Sequence, residues 1–122
     1  MGPLIEKELI KLIESATGVE CYLGLAPDVA ELPVAELGVS SDSPMNTRIL
    51  GGRRVGNAVE IRIGLVANSM PELEELVNKY VLIDNTSNEY FQKIYTDFGG
   101  RDPFDGETTV FRVFYNITAT PR

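Results

Sequence analysis

Ala58-Val59-Glu60-Ile61-Arg62-Ile63-Gly64-Leu65-Val66-Ala67, running on into Asn68-Ser69-Met70-Pro71-Glu72-Leu73, is the stretch on which the fold turns. In its first part Val59, Ile61, Ile63 and Leu65 alternate with Glu60, Arg62, Gly64 and Val66. That period of two predicts a strand over 58–67 with one face on the core. In its second part Ser69 stands three residues before Glu72, which is a capping box: the serine oxygen accepts from a free backbone N–H and the glutamate reaches back. Pro71 suits the first turn, where its missing N–H costs nothing. Leu73, Leu76, Val77, Tyr80 and Val81 then make a helical stripe to about Leu82.

Working outward toward the N-terminus, residues 3–16 place Leu4, Ile5, Leu9, Leu12, Ile13 and Ala16 on one helical stripe. Pro3 opens this helix, Glu6 and Lys11 complement its dipole, and Gly18 ends it in a left-handed conformation. A strand is expected at 19–23 and a second at 34–39, where Pro33 and Gly38 argue for a sheet edge. From 40 to 56 Ser, Asp, Pro, Asn, Gly and Arg follow in quick succession. This predicts a hairpin arm, ordered at its roots, with Gly51-Gly52 allowing a reversal or a mobile tip.

Toward the C-terminus, 84–88 is turn-like and 90–97 reads as a strand or a short helix, with the strand preferred. Gly99-Gly100-Arg101-Asp102-Pro103, continuing to Gly106, reads as a loop. The last strand is expected at 108–119, rich in Val, Phe, Tyr, Ile and Thr. Phe111, Val113, Tyr115 and Ile117 would take one face, and Val110, Arg112, Phe114 and Asn116 the other. One face would meet a helix and the other a neighbouring subunit. The fold class is therefore α+β: a mostly antiparallel sheet with two helices packed on one face and a long hairpin arm. One domain spans 1–122, with the arm loop at about 40–57.

Composition narrows function. Histidine is absent and Cys21 is the sole cysteine, which removes Ser-His and Cys-His pairs, an internal disulfide and most transition-metal sites. A carboxylate-only Mg²⁺ or Ca²⁺ site stays open, with Asp97, Asp102, Asp105 and Glu107 as an acidic cluster that also reads as a solvated loop. The net charge of −7 disfavours nucleic-acid and anionic-lipid binding. No apolar run approaches the roughly 20 residues of a membrane span, and the N-terminus lacks the pattern of a signal peptide. A cytosolic protein, neither membrane-bound nor an enzyme, with no cofactor and no metal, is the expectation.

Cys21, in a strand, reads as a packed thiol. Arg53 and Arg54, at a flexible tip, read as a contact with an acidic protein surface or as simple solubility. Phe98 and Phe104 flank the loop glycines on either side of Arg101 and read as core or as exposed interface anchors. Asn116-Ile117-Thr118 is a glycosylation sequon by chance, given no secretory route.

The whole chain resembles the tail terminator proteins of long-tailed bacteriophages, also described as minor capsid or tail completion proteins. The resemblance rests on element order: the amphipathic N-terminal helix, Val19-Glu20-Cys21-Tyr22, Leu32-Pro33-Val34, the Gly-rich arm, Val59-Glu60-Ile61-Arg62-Ile63, Ser69-Met70-Pro71-Glu72-Leu73, and the β-rich Thr109-Val110-Phe111-Arg112-Val113-Phe114-Tyr115. It implies a homo-oligomer, a hexameric ring at the head-proximal end of the tail tube. The ring would stop tube polymerisation and dock the head, with the major tail tube protein and a head-closure or connector protein as partners. DNA would pass through the lumen without specific binding. The place implied is the host cytoplasm during assembly and then the virion. A head-closure or adaptor subunit is the alternative, and a small cytosolic binding module a further one. The resemblance also places Arg53 and Arg54 against the tail tube.

Overall fold

The computed structural model describes residues 2–24, 26–27, 31–38, 52–55, 58–101 and 110–122, with backbone alone for 2–5, 52–55 and 101. The elements are α1 (Gly2–Thr17), β1 (Cys21–Leu23), β2 (Val34–Leu37), β3 (Gly52–Val55), β4 (Ala58–Ala67), α2 (Met70–Tyr80) followed by a 3-10 turn (Val81–Ile83), β5 (Phe91–Arg101) and β6 (Phe111–Pro121). The fold is α+β, with both helices packed against a mostly antiparallel sheet of order β1-β2-β4-β6-β5. β3 pairs with β4 off this path.

β4 occupies the whole of 58–67, as its alternation predicts. Val59, Ile61, Ile63 and Leu65 are fully buried and face the helices. Leu9 and Ile13 of α1 and Leu73, Leu76 and Tyr80 of α2 close on them, with Ile94, Val113, Ile117 and Ala119 from β5 and β6 completing one core. At about 25 cal/mol per Å² of apolar surface, each of these large side chains contributes roughly 1.5–3 kcal/mol.

The capping box of α2 forms, with one difference. Ser69 Oγ accepts from the Glu72 N–H at 3.3 Å, but Glu72 Oε1 accepts from the N–H of Asn68, at 2.9 Å, one residue before the cap. α1 ends as expected, with Gly18 at φ 76° and its N–H donating to Glu14 O.

Three expectations are corrected. β2 is not an edge strand: it lies between β1, to which it is parallel, and β4. The Pro-Gly punctuation delimits it, leaving four residues that pair on both sides. Gly99-Gly100-Arg101 is not loop but the end of β5, with Gly100 opposite Phe114 and Arg101 opposite Val113. A bulge between Phe98 and Gly100 accommodates the glycines without ending the ladder. Arg53 and Arg54 are not at a tip: they lie in β3, opposite Glu60 and Val59.

The roots of the arm are well defined. The Gly38 N–H donates to Arg62 O at 2.7 Å, and Gly52 stands opposite Ile61. β2 and β3 thus follow one another in the same direction along one side of β4, and segment 39–51 departs and returns between them. That segment lies outside the described residues.

The sheet face away from the helices is not left for a neighbour alone. Phe114 is 7% exposed, with the Arg62 guanidinium 4.3 Å above its ring. Glu36 is buried, its Oε1 lying 3.3 Å from Arg112 and its Oε2 accepting from the Ala26 N–H at 2.8 Å. Gly64 belongs here because a Cβ would come within 3.3 Å of the Phe114 ring. Glu36 is buried while Arg112 is partly exposed, so the loss of the carboxylate falls chiefly on the backbone it accepts from. Glu36→Ala is expected to cost about 1–3 kcal/mol in urea unfolding, because it takes the acceptor from the Ala26 N–H and the carboxylate from beside Arg112.

Glu6 shows the opposite balance. It is 7% exposed on α1 and its Oε2 has no hydrogen-bond partner among the described residues. Burial raises its pKa above the ordinary 4.5. The folded state therefore holds this proton more tightly, and stability from this group falls as pH rises through 4.5 and toward the raised value. Glu6→Gln is expected to raise stability at pH 7, with the gain vanishing well below pH 4.5 in pH-resolved unfolding curves.

Candidate interaction surface

A groove of about 290 Å³ opens between α2 and the β5–β6 pair, lined by Leu73, Glu74, Val77, Asn78, Phe98 and Val113. Its geometry follows from helical and strand periodicity. Leu73 and Val77 stand one turn apart on α2: Leu73 belongs to the core with Leu76 and Tyr80 and borders the groove, while Val77 is only partly buried. Phe98 projects from the same face of β5 as Ile94 and Thr96, but beyond the end of the core. It is 62% exposed and meets Tyr115 edge-on, with ring centroids 5.7 Å apart.

Below the groove the structure is firmly held. The Tyr80 hydroxyl and Thr96 Oγ1 are 2.5 Å apart, and the Tyr80 ring lies 5.1 Å from Tyr115. Burial pushes the Tyr80 phenol well above its ordinary range. Tyr80 is fully buried, and Tyr115 beside it is half-buried. The rim carries Glu74, exposed, beside Glu75, which pairs with Lys79 at 3.2 Å.

The outer side of β5 is covered over part of its length. The Asn85 N–H donates to Ile94 O, the Ile94 N–H to Thr86 O, and the Thr96 N–H to Asp84 Oδ1. Beyond Thr96, no strand among the described residues pairs with the outer side of β5. The bulge at Phe98 and Gly100 sits there, a device that discourages indiscriminate edge pairing.

Of the residues read from sequence as partner contacts, Phe98 alone lines the groove. Arg101 is two positions past the bulge in β5, while Arg53 and Arg54 lie in β3, separated from β5 by β4 and β6. Phe104 lies outside the described residues, as do Asp102, Asp105 and Glu107 of the acidic cluster. Among the described residues no group of three or more Cys, Asp or Glu is placed to hold a metal ion. No helix among them is long and apolar enough to cross a membrane. Leu73, Glu74, Val77 and Val113 were read from sequence only as helix or strand residues. The signal available was the width of the α2 stripe, since Leu73 and Val77 widen it beyond what one sheet contact needs.

Cys21 is buried in β1, and desolvation, aided by nearby Glu14, pushes its thiol up to about 12. The thiolate is the nucleophile, so this group is silent near neutral pH. An aromatic disulfide reagent at pH 8 is expected to leave the native protein essentially unlabelled and to titrate one thiol in denaturant. Labelling of native protein at the rate of a free thiol would contradict the packing described.

A comparison with known protein families finds no family model that matches the chain, and a comparison with curated proteins finds no match. What the structure defines is an α+β protein with a largely aliphatic and aromatic groove on its surface.

Proposed function

We propose that this chain is a structural subunit of a tail terminator kind, a protomer that assembles into a ring on the head-proximal end of a tail tube, halts its growth and offers a face for head joining. The observation that carries the reading is the groove at the open end of β5. An exposed phenylalanine, three aliphatic side chains, and Glu74 and Asn78 at the rim suit a protein-contact patch, with an aromatic anchor beside apolar surface. The element order in the resemblance drawn above adds support, from the leading amphipathic helix to the β-rich end.

Charge fits the same reading. At −7, a ring of these subunits repels a passing duplex and lets it slide without adhering. The sheet also suits ring formation, because its two sides differ: a short β1 closes one and the long β5 the other. Unlike ends join head to tail, which is what a closed cyclic assembly requires.

The test uses purified protein mixed with polymerising tail-tube subunits from the same phage genome, with lengths measured by electron microscopy. Tubes are expected to stop growing and to carry a ring of protein at one end. Unlimited growth at saturating protein would count against termination and leave a head-closure or adaptor role as the reading to pursue.

A further inference from the structure

We draw no further inference here: the strongest candidate, the largely apolar groove between α2 and the β5–β6 pair with the exposed Phe98 in its wall, carries nothing beyond the reading above, because nothing among the described residues shows what covers it.

Discussion

β4 is paired along both of its sides, and every other element takes its place from that. On one side β6 matches it from Val59 to Ala67; on the other β2 takes its second half and β3 its first. A strand held this way has no free backbone donors to satisfy, so its side chains alone decide what packs on each face. The helix-facing set of Val59, Ile61, Ile63 and Leu65 is uniformly aliphatic and fully buried. A slip of one residue would place Glu60 and Arg62 in that core, so the register is strongly specified. α2 begins three residues after β4 ends and is capped there, which commits it to fold back onto the same face.

The opposite face is organised by charge. Arg62 covers Phe114, and Glu36 joins Arg112 while accepting from the loop backbone at Ala26. A guanidinium stacked on an aromatic ring shields apolar surface while its charge stays near water. The second face of β6 is therefore partly satisfied within the chain, and the most exposed aromatic among the described residues lies instead near the end of β5. Core and surface are separated along that strand: β5 contributes Ile94 and Thr96 to the interior, then Phe98 to the outside.

Much of the fold was legible because it rests on local signals. The alternation in 58–67, the Ser69–Glu72 cap and the stripe of α1 each concern residues close in sequence, and each maps onto an observed element. The errors came where a local rule met a longer-range one. Pro33 and Gly38 bound a strand without exposing its flank, since β1 pairs with β2 through residues far from either. Gly99 and Gly100 read as a break, yet the ladder with β6 continues through a bulge. Arg53 and Arg54 looked like a tip because glycines precede them, but β4 offered an unpaired side there and the chain took it. Phe98 was singled out in the sequence as core or exposed anchor and is exposed; its groove was not legible, because Leu73, Val77 and Val113 converge only after α2 docks on the sheet.

Charge placement bears on symmetry more than on affinity. Copies that each carry −7 repel, and at physiological ionic strength that repulsion is confined to about 8 Å. An acidic chain therefore meets a second copy only where local contacts offset that repulsion. The two sides of the sheet differ, with the short β1 at one and the long β5 at the other, and contacts between unlike sides would run from copy to copy. Whether such a chain of contacts closes then depends on the angle that the twisted sheet sets between its two sides, a quantity built into the backbone of β4 and its partners.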